Sequence, residues 1–187
     1  MPPKIKITKP AIIAAAMAIV RESGAGALNA RALAARLGCS TQPIFSNYAN
    51  MEALRSDVIA EANRLYQRYL REDMTSGEFP LYKASGMASI RFAREEPELF
   101  KLLFMRDRSA EDVSGEERKL DDLLPIIQNS TGLSREEAFL LHLEMWIFVH
   151  GIATMAATAY LDWDRDMTSR VLTDAYEGLK HRFLNKE

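Results

Sequence analysis

The run Asn29-Ala30-Arg31-Ala32-Leu33-Ala34-Ala35-Arg36-Leu37-Gly38-Cys39-Ser40-Thr41-Gln42-Pro43-Ile44-Phe45-Ser46-Asn47-Tyr48 decides the fold. Asn29 suits a helix N-cap, and Ala30, Leu33 and Leu37 then recur on one face of a short helix. Gly38 stands where a left-handed residue stops it. Ser40 or Thr41 opens a second short helix, with Pro43 in its first turn and Ile44 and Tyr48 one turn apart. Ala34 is small enough to let the two helices approach closely, and Gly38 permits the sharp reversal. The pattern predicts a helix-turn-helix. Its second helix carries short polar side chains: Ser40, Thr41, Gln42, Ser46 and Asn47. A DNA major groove admits one such helix, amides pair with an adenine edge through two hydrogen bonds, and hydroxyls bond phosphates or bases. Arg31, in the first turn of the preceding helix, is placed to meet a base edge or a phosphate. The alternative is a plain helical hairpin with a polar surface.

The charge distribution favours the first reading. Among the 187 residues, 24 basic and 26 acidic side chains give a net charge of −2. Residues 1–50 hold six basic residues (Lys4, Lys6, Lys9, Arg21, Arg31, Arg36) against one acid, Glu22. The remainder is correspondingly acidic. A basic head on an acidic body points to a polyanion as the partner of the head alone.

Outward from the head, the periodicity is helical nearly throughout, with no convincing run of alternating β-branched residues. Thr8 caps a first helix with Ile12, Ala16, Ile19 and Val20 on one stripe, ended by Ser23-Gly24-Ala25-Gly26. Asn50 caps a fourth helix over residues 51–71, and 72–80 reads as a loop. Further helices are expected at 81–94, 97–105, 115–129, 135–160 and 166–184. Capping boxes at Ser114/Glu117 and Ser134/Glu137 start two of them, and Asp164 or Asp166 admits the last. The expected architecture is all-α with about nine helices. It divides into a helix-turn-helix domain at 1–50, a connecting helix at 51–71 and a second helical domain at 72–187.

Rival functions lack their residues. Asn29 replaces the third glycine of a dinucleotide loop beginning at Gly24, and no strand precedes it. No phosphate-binding loop and no nucleophile elbow is present. Asp162, Asp164 and Asp166 imitate a calcium loop, but Met167 fills the obligatory glycine position. His142 and His150 are more than two helical turns apart and make poor joint ligands, so no metal or cofactor is expected. The single cysteine, Cys39, excludes an internal disulfide and is read as a small packed thiol. The apolar stretch 139–161 contains His142, Glu144 and His150 and falls short of a membrane span. Lys4 to Ala27 imitates a signal peptide, but its apolar part is alanine-rich and Arg21 and Glu22 interrupt it. Catalysis has no assembled constellation; a helical enzyme or an interaction module without DNA binding remains the alternative.

From Thr8 to about Leu65 the chain resembles the DNA-binding domain of TetR-type transcriptional regulators. The likeness rests on the run from Asn29 to Ser40, on Pro43-Ile44-Phe45-Ser46-Asn47-Tyr48, and on Met51-Glu52-Ala53-Leu54. Arg91-Phe92-Ala93, Glu96-Pro97-Glu98-Leu99-Phe100, and Trp146 with His150-Gly151 resemble one subgroup of TetR-type effector domains. The resemblance implies DNA contacts at Arg31, Thr41, Gln42, Pro43, Phe45 and Asn47, beside Ser40 and Ser46. Three positions depart from the pattern: Phe45 replaces a phosphate-binding tyrosine, Asn47 a histidine and Met51 a lysine. Lys4, Lys6 and Lys9 are expected to compensate, since each neutralised phosphate adds affinity by counterion release. The resemblance further implies a homodimer formed by the last two helices, a duplex operator close to palindromic, and an apolar small-molecule effector. Met87, Arg91, Phe104, Trp146, His150 and Met155 are the candidate effector residues, and the expected protein is a cytoplasmic, ligand-released repressor that touches no membrane.

Overall fold

In a computed structural model, residues 7–109, 123–161 and 163–185 are described. Lys4, Lys6, the Ser114/Glu117 capping box and Asp162 lie outside them. The described residues form nine α-helices and one short 3-10 turn, and no strand. The helices are α1 (Lys9–Ser23), α2 (Ala30–Leu37), α3 (Gln42–Asn47), α4 (Met51–Thr75), α5 (Leu81–Glu95), α6 (Pro97–Phe104), α7 (Leu124–Thr131), α8 (Arg135–Ala157) and α9 (Arg165–Leu184).

Local chemistry sets most boundaries. The Thr8 hydroxyl accepts from Ala11 N at 3.4 Å at the start of α1. The Asn29 carboxamide oxygen accepts from Arg31 N and Ala32 N at 3.1 and 3.0 Å, satisfying two donors that the first turn of α2 leaves open. Asn50 does the same for Ala53 N at 2.8 Å. Ser134 and Glu137 exchange both bonds of a capping box at 3.3 and 2.9 Å. Asp164 accepts from Met167 N at 2.7 Å to open α9. At the end of α2, Gly38 has φ +62° and Cys39 N returns to Ala34 O at 3.0 Å. No atom lies within 4 Å of where a Gly38 Cβ would stand, so backbone conformation alone selects glycine there.

The chain divides into two compact units. The first comprises Met1–Gln67 and Glu96–Arg106, the second Arg68–Glu95 and Asp107–Glu187. The boundary falls inside α4. The first unit buries Ile12, Ala16 and Val20 of α1, Leu33 of α2, Ile44 of α3, and Leu54, Val58 and Ala62 of α4. Helix α6, expected with the second domain, packs in this unit against α1, contributing Leu99, Phe100 and Leu103 to the core. Arg21 and Glu96 fasten that contact through two hydrogen bonds of 2.7 and 2.8 Å.

The second unit is built mainly on α5 against α8, with α7 and α9 beside them. Its core includes Ala84, Met87, Phe92, Leu124, Ile127, Leu141, Ile152 and Leu172. Gly86 is a close-approach position: a Cβ there would stand 3.1 Å from Val149. Helix α8 ends at Ala157, three residues before the expected boundary, where Ala159 turns left-handed at φ +53°. Contrary to the sequence expectation, α8 is long and apolar enough to cross a bilayer by length and composition. Within the unit, its His142 is buried and its Glu144 pairs with Arg182 of α9 at 2.6 Å.

Candidate nucleic-acid interface

Helix α3 is seated by its apolar side. Ile44 is fully buried, and Tyr48, at the helix exit, is nearly so. An i,i+4 pair buried on one side of a six-residue helix leaves the other side outward. Gln42 and Ser46 are exposed, Phe45 is 46% exposed, and Thr41, Pro43 and Asn47 are half-buried. Ser40, in the turn, is exposed, as are Arg31 in the first turn of α2 and Lys9 in the first turn of α1. The structure thus gathers Ser40, Thr41, Gln42, Pro43, Phe45, Ser46 and Asn47 on one short segment.

The side chains of that segment differ in what they have left to offer. Ser46 Oγ donates to Gln42 O at 3.0 Å, returning its hydrogen to its own helix. Asn47 Nδ2 donates to Pro43 O at 2.8 Å and to Ile7 O at 3.3 Å. Phe45 presents an exposed apolar ring. Arg36 pairs through both nitrogens with Glu22 at 2.7 Å, which holds the Glu22 carboxyl below its usual range. Beside α3, burial and the neighbouring Asp57 carboxylate push the Tyr48 phenol up to about 12. Its ring carries the Lys9 ammonium 4.8 Å from the centroid. Sequence spacing gave no signal for the bond to Ile7, because Asn47 and Ile7 lie 40 residues apart.

Of the candidate effector residues, Met87, Arg91, Trp146, His150 and Met155 lie in the second unit and Phe104 in the first. Met87 is buried in the core of the second unit and Met155 is half-buried on α8. Arg91 sits among Asp73, Glu72 and Glu95 at 2.9, 3.1 and 3.6 Å, with its guanidinium 4.2 Å from the centre of the Tyr69 ring. Phe104 belongs to the first unit, edge-on to Tyr66 with ring centres 5.2 Å apart. Trp146 and His150 do meet, stacked at 5.2 Å, but Trp146 is 48% exposed rather than interior. It lies with Phe139, Leu140, Leu143 and Ile147 along an uncovered apolar side of α8.

One polar pair in the second unit escaped sequence reasoning. Tyr82 Oη and His142 Nδ1 are 2.9 Å apart, His142 is 6% exposed, and the Tyr176 ring stands 5.9 Å from that of Tyr82. Burial pushes the Tyr82 phenol up and the His142 imidazole down. Among the described residues no group of three or more His, Cys, Asp or Glu is arranged to hold a metal.

Three comparisons with known proteins bear on the family and the fold. Residues 82–176 match a family model described as the Tetracyclin repressor-like, C-terminal domain. The chain is 25% identical over 179 residues to an uncharacterized HTH-type transcriptional regulator of Mycobacterium tuberculosis, covering 90% of this chain and 78% of that one. The crystal structure of a TetR-like transcriptional regulator from Rhodococcus sp. RHA1 shares the fold, with a TM-score of 0.67 and 15% identity over the full length of both chains. With residues 82–176 matching that C-terminal domain and its described residues all-helical, the chain belongs to the TetR family of transcriptional regulators.

Proposed function

We propose that the protein binds a near-palindromic duplex operator as a homodimer, inserting α3 of each subunit into successive major grooves, and that a small apolar effector releases it. The observation that carries the reading is α3 itself: buried Ile44 fixes it, while Gln42, Phe45 and Ser46 face outward in the basic part of the chain. Thr41, Gln42 and Ser40 carry base and phosphate contacts, Phe45 and Pro43 make apolar contact, and Arg31, Lys4, Lys6 and Lys9 neutralise phosphates. The domain assignment is a DNA-binding part at 1–50, a connecting helix at 51–71 and an effector and dimer part at 72–187, with α6 working alongside the first.

The uncovered apolar side of α8, from Phe139 to Ile147, is assigned to the subunit contact together with α9. Trp146 and His150 belong to that contact, in a chain placed in the subgroup sharing their Trp-His-Gly pattern. Met87, Arg91, Phe104 and Met155 remain the effector candidates, with Arg91 held by Glu72, Asp73 and Glu95. The protein works in the cytoplasm, outside any membrane, and catalyses no reaction. Repression follows if the effector favours a dimer whose heads are spaced wrongly for DNA. A coupling of roughly 1–3 kcal/mol gives a 5- to 150-fold loss of affinity.

The test is a mobility shift with the DNA upstream of the protein's own gene. Gln42→Ala is expected to abolish the specific complex while circular dichroism and native mass stay unchanged. Retained specific binding in that variant removes α3 from the reading role. A thermal-shift screen of small apolar compounds tests the effector part, because a ligand of the native state alone raises Tm.

A further inference from the structure

Phe45 is the outward residue of α3 that hydrogen bonding does not explain. Over residues 7–67 it is the one Leu, Ile, Val, Met, Phe or Tyr that is exposed, at 46%. Its neighbour Ile44 is fully buried, whereas Gln42, one turn back, and Ser46, beside it, are exposed with it. Its backbone is already used, since Phe45 N donates to Thr41 O at 3.3 Å. The phenyl ring has no donor for a phosphate and neither donor nor acceptor for a polar base edge. In the major groove the bases present such polar edges, and thymine alone adds an apolar group, its C5 methyl.

We infer that Phe45 is a specificity-determining residue whose ring covers the C5 methyl of one thymine in each half-site. The inference rests on α3 being the reading helix and names a group that this helix reads. Residues three apart on a helix, as Gln42 and Phe45 are, have Cβ atoms about 5–6 Å apart. Successive bases of one strand are about 3.4 Å apart along the duplex. The thymine under Phe45 therefore lies within two base pairs of the adenine that suits the Gln42 carboxamide. Amide and ring together select A·T pairs, one by hydrogen bonds and the other by apolar cover.

Uracil is thymine without that methyl and keeps the same hydrogen-bonding edge. A duplex enriched by the full-length protein from a random-sequence pool is resynthesised with deoxyuridine in place of each thymidine in turn. Wild type, Phe45→Leu and Phe45→Ser are compared on these duplexes by fluorescence anisotropy over a salt series, with thermal melts alongside. At one thymine per half-site, uracil should weaken the wild type about four-fold, and about fifteen-fold when both half-sites carry it, the worth of one and of two buried methyl groups. Phe45→Ser should bind the thymine duplex more weakly than wild type and lose nothing further on uracil, with Phe45→Leu between the two. Its slope of log affinity against log salt should match the wild type, because no phosphate contact is removed. An unchanged Tm shows that the exposed ring is not needed for folding. The inference is overturned if no uracil within two base pairs of the position that depends on Gln42 weakens the wild type. It is equally overturned if Phe45→Ser and Phe45→Leu keep the full uracil loss, or if Phe45→Ser shrinks the salt slope as a lost phosphate contact would. A wild type that enriches no motif, or one indifferent to Gln42→Ala, defeats α3 as the reading helix and this inference with it, a result distinct from a Gln42-dependent motif that ignores the methyl.

Discussion

At the scale of single residues, the side chains that hold the head together are separable from those that face outward. Gly38 is needed for its backbone: φ is +62° and space for a methyl group is open. Gly38→Ala should therefore cost about 1–2 kcal/mol in urea unfolding, the penalty for a left-handed L-residue, and Gly38→Asn distinctly less. The two half-buried and buried histidines make a second prediction. Burial depresses His142 and His150 below the ordinary histidine value, so the folded chain takes up their protons later than the unfolded chain as pH falls. Above about 6.5 neither form is charged and they contribute nothing to pH dependence. Below it, stability should drop by up to ~1.4 kcal/mol per pH unit for each histidine until its folded pKa is reached. His142→Gln should remove one proton from that slope, measured by urea melts between pH 7 and 5. An unchanged slope would place the titration elsewhere. The sequence made the glycine legible, because a left-handed helix stop is local chemistry. It could not reveal Tyr82 against His142, a pair 60 residues apart.

Among elements, the caps and stripes were readable and the partners were not. Thr8, Asn29, Asn50, Ser134 and Asp164 each cap the helix their position announces. Helix α4 runs to Thr75, beyond the expected end, through polar residues whose periodicity fades. The placement of α6 was illegible, because its short apolar face suits either unit; what sets it is the pair Arg21–Glu96 and the packing of Leu99 and Phe100 on α1. The Glu96 side chain is only 15% exposed, so this pair is better shielded than most surface pairs. A double-mutant cycle on Arg21→Ala and Glu96→Ala should show a coupling of about 0.5–1 kcal/mol. A value near zero would leave α6 held by apolar packing alone. Ile44 is the fully buried member of the pair that seats α3, so Ile44→Ala should destabilise the head by about 2–4 kcal/mol and lower DNA affinity with it.

For the whole molecule, the basic head and acidic body were visible in the arithmetic of charges, and the all-helical class in the apolar period. Bulky apolar side chains at helical spacing look alike in sequence whether they fill a core, line a cavity or face a second subunit. Trp146 illustrates this: exposed on α8, it joins an apolar strip that water would otherwise meet. Ile147, 59% exposed, stands in that strip. Ile147→Asp should convert the dimer to a monomer in sedimentation and lower operator affinity by two orders of magnitude or more, with helicity retained. A variant that still sediments as a dimer would move the subunit contact off this face.

The most direct measurement is selection of bound duplexes from a random-sequence pool by the full-length protein, followed by sequencing. The account predicts an enriched motif with two-fold symmetry, its half-sites centred about one helical turn, 34–36 Å, or a multiple apart, and loss of that enrichment with Gln42→Ala. A pool that stays random, or a motif unaffected by Gln42→Ala, would contradict α3 as the reading element.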